Sequence, residues 1–178
     1  VFLVPALTMR SISEERRSGM LTLLFTKPLT IWQMVLGKYA GILLFLLIVL
    51  LPSVLYVYIV WVLGKPVGNL DVAGTIGSYI ALFLLIATFA AVGLWASAVS
   101  SNQIISFVLA TFLCFFLFFG LDQVVALIAP DSIVGYGFQS HFDAISRGVI
   151  DSRDVIYFLS VIIFFLYITT LSLKTYKQ

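Results

Sequence analysis

Four long apolar runs dominate the pattern of hydrophobic and polar positions along the chain. They cover residues 39–63, 79–98, 104–121 and 155–173, and none of them contains a charged residue. A helix needs about 20 apolar residues to cross the core of a bilayer. The pattern therefore predicts an all-α, polytopic membrane protein with four complete spans.

Composition agrees with the pattern and excludes several classes of protein. The 178 residues are 62% hydrophobic and 10% charged, whereas soluble domains carry roughly 25% charged residues. A net charge of +2 gives no argument for nucleic acid as a partner. The single cysteine, Cys114, and the single histidine, His141, leave no disulfide framework and no metal cluster.

The sequence also offers no enzyme chemistry of its own. It contains no Walker A sequence and no glycine-rich phosphate loop, and no nucleophile–base set. We therefore expect no catalytic or metal-binding residues and no cofactor in this chain. If ATP drives the protein, ATP and Mg²⁺ are expected on a partner ATPase subunit.

The distribution of Lys and Arg predicts the orientation in the membrane. Five basic residues lie within 10–38 and two in the C-terminal tail, against three in 64–77 and 122–154. Basic residues concentrate in cytoplasmic loops, so 10–38 and the tail are predicted inside and 122–154 outside. The short apolar stretch in residues 1–9 is interpreted as the end of a truncated helix.

Residues 10–38 hold seven of the chain's 18 charged residues, including a run of two acids and two bases at 14–17. Ser11 followed by Glu14 is a capping-box pattern, which predicts a short helix that Gly19 interrupts. A short apolar segment follows and ends at Pro28. Thr30 with Gln33 predicts the start of the next helix. The residues assigned here to a contact with a partner are Glu14, Glu15, Arg16, Arg17, Gly19, Leu21, Leu24, Phe25 and Pro28.

Two interpretations of this region stay open on the residues alone. One is a solvated loop attracted to anionic lipid, and the other is a rigid docking element for a cytosolic partner. Lys and Arg gain about 1 kcal/mol each near an anionic surface and acids gain nothing. The glutamates therefore argue against an element that only seeks lipid.

The outer segment, 122–154, is the second informative region. Ser140 with Asp143 predicts a short helix ended by Gly148, and Asp151 with Asp154 predicts the cap of the last span. Asp122, at the end of an apolar run, is a candidate acid at the membrane interface. The residues assigned to the outer helix are Phe142, Asp143, Ile145, Arg147 and Gly148.

Small residues predict two close helix contacts. Ala90, Gly93, Ser97 and Ser101 form a stripe on one helix face, interpreted as structural packing. Gly37 and Gly41 form a GxxxG pair, which is a weaker signal because such pairs are common by chance.

Several short strings, in order, resemble the signature of ABC-2 type permeases. They are PALTMRSISEERRSG at 5–19, LL at 23–24, KPL at 27–29 and VLGKY at 35–39. The later segment, 141–157, resembles the gliding-motility-associated permeases of the GldF type, and permeases serving nitrous-oxide reductase maturation are similar there. The family's usual Thr and Glu after the Ser-Gly are replaced here by Met20 and Thr22.

The resemblance implies a six-helix half-transporter, with its first helix missing from 1–178, that exports across the bacterial inner membrane. It implies that 10–38 is the coupling region for a cytosolic ABC ATPase, and that a second permease chain, identical or different, completes the path. The alternatives are a mechanical or secretion-system component that moves no solute and a maturation-type permease. An ion-coupled secondary transporter is disfavoured because the four runs lack charged residues.

Overall fold

The computed structural model describes residues 1–25, 29–64, 70–128 and 137–177. All regular elements in these ranges are helical, so the prediction of an all-α protein is confirmed. In chain order the elements are α1 (Leu3–Thr8), α2 (Ser13–Arg17), α3 (Met20–Phe25), α4 (Ile31–Leu63), α5 (Val72–Val99), α6 (Gln103–Phe115), a π-helical turn (Phe116–Gly120), α7 (Leu121–Ile128), α8 (Phe138–Ser146) and α9 (Ser152–Lys177).

The four predicted apolar runs all lie in helices long and apolar enough to cross a membrane. The longest, α4, has 33 residues and is therefore about 50 Å long, against about 30 Å for the apolar core of a bilayer. It begins with the predicted capping box, which is confirmed. The Gln33 N–H donates to Thr30 Oγ1 (3.3 Å), and the Thr30 N–H donates to Gln33 Oε1 (3.0 Å).

The third long helix contains an irregularity that its apolar sequence does not reveal. Its hydrogen-bonding pattern widens to a π-helical turn at Phe116–Gly120 before α7 continues the same direction. Gly120 permits the turn, because a Cβ there would lie 2.6 Å from the Phe116 ring. Helix α7 extends beyond the predicted end of the run at residue 121, so the predicted outer segment begins inside a helix.

Helix α5 is the centre of the bundle and contacts α1, α4, α6, α8 and α9. Its predicted stripe is confirmed at Ala90, Gly93 and Ser97, which are buried, and a Cβ at Gly93 would overlap Thr8 of α1. Ser101 is exposed and lies beyond the end of α5, so its inclusion in the stripe was wrong. The close contact expected at Gly37 and Gly41 does not occur within the described chain, since nothing lies within 4 Å of a Cβ at either.

The two regions that the sequence analysis singled out lie at opposite ends of the bundle. The α2 helix contacts the C-terminal end of α5, and Arg16 lies against Tyr176 near the end of α9. The opposite end holds α8, which packs against the N-terminal part of α5 at Gly77. This separation agrees with the alternation expected from the basic residues, and the membrane orientation stays a prediction.

Replacing Gly77 by Ala should destabilise the protein, because a Cβ would collide with the backbone of Ile145 and Gly148. We expect a loss of about 1–3 kcal/mol, as for other overpacked sites. The measurement is the unfolding free energy in mixed micelles. Gly41→Ala is the matched control, since its Cβ meets open space and removing a helical glycine should be neutral or favourable by up to about 1 kcal/mol. Equal effects of the two substitutions would contradict this account.

Candidate functional site

Helix α2 has its N-terminal cap supplied by another helix. The Ser11–Glu14 capping box was wrong, because α2 begins at Ser13 and the preceding Ile12 has no capping side chain. Instead, the N–H groups of Ile12 and Ser13 both donate to Ser97 Oγ of α5, at 2.9 Å each. The Ser97 hydroxyl in turn donates to the Met9 carbonyl at 3.1 Å. This buried serine satisfies groups that a helix start leaves without partners.

Arg16 makes the reverse contact, from α2 to the end of α5. One guanidinium nitrogen donates to the carbonyl oxygens of Ala98 (3.0 Å) and Val99 (2.9 Å). The guanidinium also lies 4.5 Å from the centroid of the Tyr176 ring of α9. A cation is favourable at a helix C-terminus, where unpaired carbonyl groups concentrate negative charge. The start of α2 and the end of α5 therefore cap each other.

Lys38 ties the same region to α4. Its Nζ donates to the Ser11 carbonyl at 2.7 Å and to Glu15 Oε1 at 2.5 Å. The two side chains of this ion pair are only 18% and 23% exposed. Glu15 and Lys38 are 23 residues apart in the chain, so local sequence patterns gave no signal for their pairing.

Only part of the charged run faces outward. Glu14 and Arg17 are exposed, whereas Glu15 and Arg16 are half-buried and bonded as described. Gly19 interrupts the helix as predicted, with a φ of +73° that L side chains rarely adopt. Met20 follows it and is 53% exposed. We call Glu14, Arg17 and Met20 the exposed face.

The apolar residues of α3 are divided as well. Leu21 is 1% exposed and belongs to the chain's own core, so its side chain is unavailable to a partner, contrary to the expectation from sequence. Leu24 is half-buried. The Phe25 side chain and Pro28 lie outside the described residues.

The outer helix α8 begins at Phe138, ahead of the predicted cap at Ser140, and receives its cap from Asp122. The predicted Ser140–Asp143 box was wrong, since the Ser140 hydroxyl donates to the Gly137 carbonyl at 2.6 Å. Asp122 Oδ2 of α7 accepts the Gln139 N–H at 3.0 Å. Gly137 leaves room for this carboxylate, which a Cβ would overlap. Asp122 thus has a structural contact at the outer end.

The other end of α8 is closed by α5 and by a glycine. The Ser78 hydroxyl donates to the Ser146 carbonyl at 3.1 Å, and Gly148 stops the helix with a φ of +85°. Ile145 is fully buried, and Phe142 is half-buried at 5.9 Å from the ring of Phe118. The remaining assigned residues of α8 are at its end or side, with Arg147 exposed and Asp143 half-buried.

The start of α9 uses one of its two predicted capping acids. Asp151 Oδ1 accepts the Arg153 N–H at 3.1 Å. Asp154 Oδ1 instead lies 2.6 Å from His141 Nδ1. The His141 ring stacks on the Tyr157 ring, with the two ring centroids 4.5 Å apart. The pair joins α8 to α9, a contact that local sequence patterns did not predict.

These features define a polytopic helical membrane protein with a structured, charged region at one end and a capped helix at the other. The family profile described as ABC-2 family transporter protein matches residues 2–175. The chain belongs to this family, and it is a multi-pass permease component of an ABC transporter. No curated protein and no solved structure matches it.

The Glu15–Lys38 ion pair should show a measurable coupling energy. We expect Glu15→Gln and Lys38→Met to be non-additive by about 1 kcal/mol, because the pair is partly shielded from water. A double-mutant cycle on the unfolding free energy measures this value. The matched cycle pairs Glu14→Gln with Lys38→Met and should be additive within about 0.5 kcal/mol. Additivity in both cycles would contradict the ion pair between Glu15 and Lys38.

Loss of the Asp122 carboxylate should loosen α8. We expect Asp122→Ala to lower hydrogen-exchange protection in α8 about five-fold, since losing a helix N-cap costs about 1 kcal/mol. Asp122→Asn retains an acceptor and should preserve protection. Asp143→Ala, on α8 itself, is the control, and equal loss in the two alanine variants would count against a capping role for Asp122.

Proposed function

We propose that this chain is the membrane permease of an ABC exporter and that region 10–38 docks on a separate cytosolic ATPase, which binds ATP and Mg²⁺. The division of α2 carries the proposal. Glu15 and Arg16 bond inward and hold the helix against α4 and α5, while Glu14 and Arg17 project outward. A helix held in this way presents its exposed side chains in a fixed arrangement, which suits a protein partner.

The same division weakens the interpretation that α2 only contacts lipid. The outward charges on α2 are one acid and one base, so they sum to zero. Attraction to an anionic membrane surface depends on an excess of basic residues. A mixed pair beside an exposed Met20 is better matched to a complementary protein surface, where charge order gives specificity and apolar contact gives affinity.

The kind of complex in which the chain works is proposed from the resemblance of 141–157 to gliding-motility-associated permeases. We propose that the chain works in a GldF-like complex in the bacterial inner membrane, together with a second permease chain. Transport of a solute and purely mechanical work need the same ATPase contact. ATP-dependent uptake into inside-out proteoliposomes containing the intact complex would distinguish them.

Exchanging the two outward charges should break the ATPase contact. The variant Glu14→Arg with Arg17→Glu keeps the net charge and reverses its order along the helix. We expect affinity purification of the complex from native membranes to lose the ATPase, which mass spectrometry of the eluate would identify in the parent. Attraction to lipid by net charge would be unchanged.

The matched control makes the same exchange on the outer helix, as Asp143→Arg with Arg147→Glu, and should retain the ATPase. Retention of the ATPase by both variants would refute docking through this face. Loss of the ATPase from both would indicate a general loss of structure.

A further inference from the structure

Helix α2 is bonded more extensively to α5 than to α4, although α4 is the next long helix in the chain. In the contact with α5, the N–H groups of Ile12 and Ser13 donate to the Ser97 hydroxyl. That hydroxyl donates to the Met9 carbonyl, and Arg16 donates to two carbonyl groups at the end of α5. Among the described residues, the hydrogen bonds to α4 come from one side chain, Lys38. We call the Ser97 and Arg16 contacts the joint.

The two long helices also differ in how firmly the bundle holds them. Most of α5 is buried, whereas the apolar part of α4 is mostly exposed. Hydrogen bonds from the Tyr39 hydroxyl to the Ala87 carbonyl and between Ser53 and Tyr79 join α4 to α5. A displacement of α4 nevertheless breaks fewer contacts with the rest of the described chain than a displacement of α5. A displacement of α5 must be followed by the elements packed against it.

One of those elements is the outer helix α8. Its C-terminal end rests directly on Gly77, and Ser78 bonds to the Ser146 carbonyl. The joint at Ser97 and the contact at Gly77 lie on the same uninterrupted helix, 20 residues or about 30 Å apart. A contiguous series of polar and packed contacts thus runs from α2 through α5 to α8.

We propose that Ser97 and Arg16 are positioning residues that transmit a displacement of region 10–38 to the outer helix α8, with α5 as the rigid connection. This inference rests on the proposed docking of an ATPase on that region. Two hydrogen-bonded groups from each helix end resist both sliding and separation, which a single apolar contact would not. In this proposal α5 transmits the displacement to α8, and α4 moves as a consequence without transmitting it.

Distances between pairs of spin labels test the proposal in the intact complex with its ATPase. Cys114→Ala removes the native thiol, and cysteines at exposed positions carry the labels. The inner pair joins Ser18, beside the joint, to Ile104 at the start of α6, and the outer pair joins Val149, just after α8, to Leu63 at the end of α4. Magnesium ATP with vanadate traps the ATPase, and both distances should change in the parent.

Breaking the joint should separate the two responses. In Ser97→Ala with Arg16→Met, the inner distance should still change on trapping and the outer change should be lost. Arg16→Lys keeps a cation at the end of α5 and should retain the outer change. The control variant is Ser106→Ala with Arg10→Met. It removes an exposed arginine and a buried hydroxyl that, within the described residues, donates to the Asn102 carbonyl at the start of its own helix, and it should respond like the parent.

The outcomes separate this inference from the function on which it rests. An outer change that persists in the joint variant, or that is lost equally in the control, overturns transmission through the joint. A parent whose inner pair responds and whose outer pair does not also overturns it. A parent whose inner pair fails to respond refutes the docking proposal itself. If the double variant loses its ATPase, Ser97→Ala alone, measured in the same way, decides the question.

Discussion

The structure depends on side chains of one helix that satisfy the ends of another. A helix leaves N–H groups free at its start and carbonyl groups free at its end, and an unpaired group is costly where water is excluded, as around the buried Ser97. In this chain other helices supply many of the missing partners. Ser97 caps α2, Arg16 caps α5, Asp122 caps α8 at its start and Ser78 closes its end. Each of these bonds also fixes one element on another, so the caps position the short helices α2 and α8 on the bundle.

Small residues make these exchanges geometrically feasible. Backbone groups of two helices meet only where side chains do not hold the helices apart, and Gly93 and Gly77 provide such places on α5. The first admits α1 beside the Ser97 contacts, and the second admits the end of α8. The small-residue stripe is therefore more than a packing surface. It brings polar groups of separate elements within hydrogen-bonding distance in a protein that otherwise has few charged residues.

The sequence predicted those features that depend on neighbours along the chain. Continuous apolar runs indicated the four long helices, and Thr30 with Gln33 indicated the start of α4, because both signals lie within one helix. Prediction from sequence failed where the hydrogen-bond partner of a helix end is distant along the chain. Ser11 matches a capping pattern, yet the acceptor used is Ser97, 85 residues from Ile12. Ser140 with Asp143 was expected to cap α8, yet Asp122 on another helix does so. Local patterns identify groups that need a partner and cannot say which of several suitable residues tertiary packing brings near.

The same limit explains why a run of four charges appeared to be one functional unit. Successive residues on a helix point in different directions, about 100° apart. On a helix of five residues this rotation is enough to turn Glu15 and Arg16 toward the bundle while Glu14 and Arg17 face away. The inward pair then meets two separate requirements, a cation at the end of α5 and a counter-ion for Lys38. The signature therefore combines residues that build the region with residues that a partner can reach. Because the inward pair holds α2 in place, changes at Glu15 or Arg16 are expected to alter the position of the exposed face while leaving its own charges unchanged.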